Sequence, residues 1–209
     1  MAYIISFISR KGGTGKTTNA INISTVLHSL GYKVVLIETD TNYTLSTLRQ
    51  MELHQSSAKP DSVFKIIGSD DAGVLEDIEV LQKRENPDYF VIDSAGKTTD
   101  EYIKQLAIKS DMVIVPTSLS QNDLLVTYQT IEDLRPAQQL NPKLKLVVLP
   151  NRLHSRTSVV GIHKQLEDLR VILPEQFVPQ KNIYAQFSTI MPEKEYLHIT
   201  KEIVQYTQS

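Results

Sequence analysis

The run Arg10-Lys11-Gly12-Gly13-Thr14-Gly15-Lys16-Thr17-Thr18 brings three glycines, two lysines and three threonines together, and the chemistry that suits such a mixture is the holding of phosphate. Glycines let the backbone turn tightly and point successive N–H groups at phosphate oxygens, with no Cβ in the way. A helix beginning at the end of the run adds the partial positive charge of its N-terminus. Lys16 can neutralise the β and γ oxygens of a triphosphate, and the Thr17 hydroxyl can hold Mg²⁺. Gly12, Gly13, Thr14, Gly15, Lys16, Thr17 and Thr18 are therefore the expected nucleotide contacts. A dinucleotide fingerprint would use Gly13 and Gly15 with Glu38 as its ribose acid, but Thr18 stands at its third glycine position and Lys16-Thr17 would have no role. The ordinary mononucleotide loop has a glycine at position 10, where this chain has Arg10, so the loop is a variant.

A loop of this kind needs a rigid frame. Short apolar runs rich in β-branched residues recur at Tyr3–Ile8, Val34–Ile37, Val63–Ile67, Tyr89–Ile92, Met112–Val115, Lys145–Leu149 and Gln176–Val178. They are too continuous for half-solvated strands and predict strands buried on both faces. Between them lie helical patterns. Ala20, Ile23, Leu27 and Leu30 mark the first, stopped by Gly31; Leu124, Tyr128, Ile131 and Leu134 mark a second, ending before Pro136; Val159, Ile162, Leu166 and Leu169 mark a third. The alternation predicts an α/β fold, a mainly parallel sheet with helices on both faces. Acids follow the strands at Glu38-Thr39-Asp40 and at Asp93, and the C-terminal ends of such strands are where ligands bind. After the strand at Lys145–Leu149 comes Pro150-Asn151-Arg152. An asparagine carries the donor and acceptor that match the N6 and N7 edge of adenine, which makes Asn151 a candidate base contact.

Composition narrows the function. The 209 residues are 41% hydrophobic and 22% charged with a formal charge of −2, so nucleic-acid binding would need a local patch rather than an overall basic field. No cysteine is present, which removes disulfides, thiolate catalysis and iron–sulfur ligation together. The opening MAYIISFISR has its basic residue after the apolar run, the reverse of a secretory signal. The expectation is one domain over residues 1–209, in the cytoplasm.

The string KGGTGKTT resembles the deviant Walker A box of the ParA/MinD family of P-loop ATPases, with Lys11 as its second, signature lysine. The resemblance implies ATP and Mg²⁺ as cofactors, and implies that Lys11 reaches across a nucleotide-sandwich homodimer to the partner's ATP. The family's Asp-x-Asp-Pro-Gln box is similar to Glu38-Thr39-Asp40-Thr41-Asn42. By that match Asp40 orients the attacking water near Mg²⁺, while Glu38 and Thr41 depart from the pattern. Tyr89–Asp93 resembles a Walker B strand, implying that Asp93 acts on Mg²⁺ through a water. The implied catalytic set is Lys11, Lys16 and Asp40, and the implied metal set Thr17, Asp40 and Asp93. The size is similar to short ParA proteins without an N-terminal helix-turn-helix. This implies slow ATP hydrolysis stimulated by a centromere-binding adaptor, non-specific DNA binding in the ATP state, and a bacterial nucleoid-associated location serving plasmid or chromosome partition.

A DNA surface would draw on Arg152, Arg156 and Lys164 around a helix starting near Ser155, with Arg170, Lys181 and, at lower pH, His154 and His163. A MinD-like positioning ATPase would instead need a cationic amphipathic tail. The tail Glu193–Ser209 carries only Lys194 and Lys201 against Glu193, Glu195 and Glu202, so it is expected to pack on the core and no membrane partner is expected. A metabolic ATP-dependent ligase or kinase on the same scaffold would use Lys16, Thr17, Asp40 and Asp93 but leave Lys11 without a purpose.

Overall fold

Each apolar run sends alternate side chains to opposite faces of a sheet, and here both faces are covered. The computed structural model describes residues 1–57, 59–96, 99–154, 156–181 and 188–208; Ser155 and Ser209 lie outside them. The strands are β1 (Tyr3–Phe7), β2 (Val34–Glu38), β3 (Lys65–Gly68), β4 (Tyr89–Asp93), β5 (Met112–Thr117) and β6 (Lys145–Pro150). They form one six-stranded sheet in the order β3-β2-β4-β1-β5-β6, with every pairing parallel. The helices are α1 (Lys16–Ser29), α2 (Thr44–Gln55), α3 (Val74–Glu85), α4 (Asp100–Lys109), α5 (Gln121–Leu140), α6 (Val159–Leu166) and α7 (Tyr196–Gln208).

One face carries Ile5, Phe7, Leu36, Val91, Ile114 and Leu149 beneath α1 and α7; the other carries Val35, Ile37, Phe90, Ile92, Val113 and Val148 beneath α3 to α6. This is the doubly covered parallel sheet expected from the sequence. The tail packs on the core as expected, with Tyr196, Ile199 and Ile203 fully buried. Helix α1 packs against both the sheet and α7, so its buried stripe widens to take in Asn19, Asn22, Ser24 and Thr25 as well.

Four sequence expectations change. The second helical pattern does not stop before Pro136; α5 runs on to Leu140. Pro136 and Glu132 both lie on the exposed side of α5, so the Glu132 carbonyl that loses its amide partner meets water, while Leu134 and Ala137 keep the helix docked. The run Val63–Ile67 was expected to be buried on both faces, but β3 is an edge strand bonded only to β2 and partly exposed. Gln176–Val178 is not a strand; this segment is joined to the end of β6 by Val178 N, which donates to the Pro150 carbonyl at 3.0 Å, and by the Leu153–Pro179 bridge just beyond. Leu30 caps α1 and is exposed rather than part of its buried stripe.

Candidate functional site

The order of strands places β1 at the centre, with β4 on one side and β5 on the other, so the crevice at their C-terminal ends is a topological switch point. The glycine run emerges there and passes into α1. Gly15 adopts φ 101° at the start of the helix, a left-handed geometry that only glycine takes freely. A Cβ there would also lie 3.1 Å from Asn19 Nδ2 and 3.2 Å from Asn151 Nδ2. The loop is braced from below: Asn19 Nδ2 donates to the Gly15 carbonyl at 2.7 Å, and Asn151 Nδ2 donates to the Thr14 carbonyl at 2.9 Å. Tyr196 Oη on α7 in turn donates to Asn19 Oδ1 at 2.9 Å.

Asn151 therefore has a task that its sequence position did not suggest. It is 2% exposed and lies under the phosphate loop, one amide hydrogen engaged there and Oδ1 without a hydrogen-bond partner. This placement braces the loop backbone and leaves Oδ1, the acceptor that the adenine reading calls for, open.

Lys16 is 6% exposed, its Nζ donating to the Lys11 carbonyl at 3.4 Å. Burial lowers its pKa, and the nearby Asp93 and Asp40 carboxylates offset this in part. Asp93 is 4% exposed at the end of β4, register partner of both Phe7 and Glu38. Burial pushes its carboxyl up to about 7, opposed by a hydrogen bond with Thr17 and the Lys16 charge, and reinforced by Glu38 and Asp40. Its Oδ1 has no partner. A buried carboxylate oxygen left open beside a threonine hydroxyl and a lysine is a donor set suited to a hydrated divalent cation beside phosphate, since Mg²⁺ takes one or two protein oxygens and keeps waters and substrate oxygens for the rest. Asp40 is exposed on the loop after β2, where its Oδ1 accepts from Asn42 N at 3.0 Å and Asn42 Nδ2 at 2.8 Å. The structure thus brings Lys16, Thr17, Asp40 and Asp93 to one crevice.

Lys11 and Arg10 point to the other side of the loop. Lys11 Nζ pairs with Asp123 Oδ1 at 2.5 Å, in the first turn of α5, whose cap Ser120 accepts from Asp123 N. Burial pushes the Asp123 carboxyl up, but hydrogen bonds from Lys11, Ser118 and Ser120 and the Lys11 charge bring it below its ordinary value. Arg10, standing where a glycine is usual, reaches Asp100 at 2.8 Å and also pairs with Asp133.

Sequence reasoning missed several participants. Asp123 gave no signal beyond a first-turn acid. Gly96 did carry one, as a glycine just after the second acidic strand: its backbone lies so close that an added Cβ would be 3.3 Å from Gly12 Cα and 3.6 Å from Lys16 Nζ. Glu38 was read as a rejected ribose acid and as a drifted letter, yet it is 2% exposed and fully engaged.

Of the candidate DNA contacts, Arg152, Arg156, Lys164 and Arg170 are exposed and, among the described residues, have no ion-pair partner. Lys181 is paired with Glu195. His154 Nδ1 accepts from Arg156 N at 3.3 Å, and the His163 ring lies tilted against Phe177 with centroids 6.1 Å apart. Among the described residues no helix is long and apolar enough to cross a membrane.

Comparison with known proteins places this crevice in context. Residues 2–209 match the family model described as VirC1 protein. Maintenance of carboxysome distribution protein A of Halothiobacillus neapolitanus is 28% identical over 184 residues, covering 88% of this chain and 82% of that protein. Among solved structures, cobyrinic acid a,c-diamide synthase from Mycobacterium smegmatis with bound ATP analogue and magnesium is similar at a TM-score of 0.70 and 20% identity, over 100% of this chain and 97% of that one. The pNOB8 ParA bound to nonspecific DNA is similar at 0.65 and 17% identity, over 100% and 99%. The fold is that of the ParA/MinD P-loop ATPases.

Proposed function

Because the chain belongs to the VirC1 protein family, whose model it matches over residues 2–209, we propose that it is a ParA-type ATPase that dimerises on ATP, binds DNA without sequence preference and is stimulated by an adaptor protein. The observation that carries the nucleotide reading is the crevice itself: a buried lysine, a left-handed glycine at a helix N-terminus, and a buried Asp93 oxygen without a partner, all at one switch point. The matched relative from Halothiobacillus neapolitanus bears the name of a distribution protein, which supports a positioning or partition role.

The work of hydrolysis divides among the chain's own groups. Backbone N–H groups of residues 12–18 and the α1 N-terminus hold the phosphate oxygens, and Lys16 neutralises the charge that accumulates on them. Thr17 and Asp93 would hold Mg²⁺, which when bound would supply charge neutralisation on the transferred phosphoryl group. Asp40 holds the attacking water in line through its carboxylate, the kind of positioning on which phosphoryl transfer mainly depends. Lys11, released from Asp123, serves the partner's nucleotide. DNA phosphates meet the exposed Arg152, Arg156, Lys164 and Arg170, a set repeated by the dimer's two-fold axis.

Binding to an arbitrary DNA duplex without nucleotide, with ADP and with a non-hydrolysable ATP analogue tests this reading. Binding confined to the analogue, weakened by salt and lost in Lys11→Ala, is the expected result. Turnover that depends on a small-molecule acceptor, with no DNA binding in any state, would refute it in favour of a metabolic enzyme on this fold.

A further inference from the structure

The acid that departs from the family pattern has work of its own. Glu38 ends β2, and its carboxylate is committed to the start of α2: Oε2 accepts from Leu45 N at 2.9 Å, and Oε1 accepts from Ser46 N at 2.9 Å and from the Ser46 hydroxyl. These are the second and third amides of α2, the donors a helix leaves unsatisfied. The residue in the capping position, Tyr43, offers no side-chain cap and holds φ 46°. Glu38 supplies the cap from outside the helix.

Between Glu38 and Leu45 the chain is closed into a small loop, and Asp40 stands on it. Its entry is fixed to neighbouring strands: Ser69 N donates to the Glu38 carbonyl at 3.0 Å, Thr39 N to the Asp93 carbonyl at 3.0 Å, and Ala95 N to Thr39 Oγ1 at 3.0 Å. At its exit the Tyr43 ring covers Gly68, the register partner of Glu38 on β3, where an added Cβ would lie 2.3 Å from ring carbons. The Tyr43 amide closes a turn onto the Asp40 carbonyl at 3.0 Å. One carboxylate therefore spans from the loop's first residue to its last.

We propose that Glu38 is a positioning residue for hydrolysis: by capping α2 it holds the loop that presents Asp40 to the crevice, and it acts through Asp40 without touching the reacting atoms. The inference rests on the reading of Asp40 given above. It also accounts for the longer acid. An aspartate at this position would be shorter by one C–C bond, about 1.5 Å, and would leave the α2 amides unreached. The departure from Asp therefore changes what the side chain grips.

The test is a double-mutant cycle on single-turnover ATP hydrolysis, with affinity for a non-hydrolysable analogue measured in parallel on the full chain. Glu38→Gln keeps the length but turns an NH₂ towards the helix amides. It is expected to slow turnover about tenfold or more, because small displacements of a positioned group are costly, while analogue affinity stays within about twofold. Added to Asp40→Ala it should give no further loss, since the two act as a unit. Losses that multiply, or an unchanged rate in Glu38→Gln, would overturn the proposal. Ser46→Ala removes only the hydroxyl contact and is expected to show the same non-additivity with a smaller loss, which covers the case in which Glu38→Gln folds poorly. Amide exchange separates the cap from the chemistry. Leu45 and Ser46 should exchange faster in Glu38→Gln than in wild type, and no change there would refute the cap, whereas a wild type that binds the analogue without turnover would refute the hydrolase reading instead.

Discussion

Replacing Asp123 with asparagine should free Lys11 and tighten ATP-driven self-association. In the monomer the lysine is held within its own chain, Nζ to Asp123 Oδ1 at 2.5 Å, with the lysine side chain 44% exposed and the aspartate 11%. A pair with one half-exposed member contributes about 0.5–1 kcal/mol after solvent screening, which is a factor of about 2–5 in the fraction of chains whose Lys11 is free. If each protomer of the dimer must release its lysine, the factor applies twice, and the dimer of Asp123→Asn should be about 5–30-fold tighter than wild type. Asparagine keeps the shape and can still accept from Ser118, which bonds Asp123 in the native protein, so α5 should start as before. Sedimentation velocity with a non-hydrolysable ATP analogue, at low and high salt, reads the constant directly. The wild type should approach the variant as salt screens the internal pair. An unchanged or weaker dimer in a variant that melts like wild type would refute the idea that the pair competes with association.

Two further outcomes follow from buried groups. The Asp93 carboxyl, lifted by burial from 3.8 to about 7, keeps its proton more tightly in the fold than in the unfolded chain. Stability it provides below about pH 4 is therefore lost as pH rises towards 7, by at most about 4 kcal/mol. Urea unfolding at pH 5 and pH 8 should show this loss in the wild type and a flatter response in Asp93→Asn; equal slopes would refute the burial. Tyr196→Phe should cost about 1–2 kcal/mol, because it leaves the buried Asn19 Oδ1 without its donor, and urea midpoints compared at constant m-value check it.

What could be read from the sequence was chemistry packed into neighbouring residues. The phosphate loop is one such stretch: its glycines, Lys16 and Thr17 sit side by side, and their roles follow from local backbone geometry. Strand and helix types were legible for the same reason, since periodicity is local. Asp123 was not legible, because its meeting with Lys11 depends on how α5 docks across the sheet. The bracing of the Thr14 carbonyl by Asn151 was not legible either: the β6 end is tucked beneath the loop, and only the assembled sheet reveals that. The run through Pro136 misled because a proline's cost depends on whether the abandoned carbonyl can reach water. That is a property of the helix face, which one residue cannot disclose. The Val63–Ile67 run looked central because composition does not say whether a strand has one neighbour or two.

The two cations at the entry of the phosphate loop both end on carboxylates of surrounding helices, Arg10 on Asp100 of α4 and Asp133 of α5, Lys11 on Asp123 of α5. Where a glycine would leave the loop's shape to backbone preference alone, this chain adds tethers that ionic strength can slacken. Electrolyte is thus an internal variable of the molecule as well as a property of the medium. A log–log plot of DNA affinity against salt would mix ions displaced from the duplex with the relaxation of the protein's own tethers. The slope would count phosphate contacts only after the same titration, run on nucleotide binding without DNA, had been subtracted.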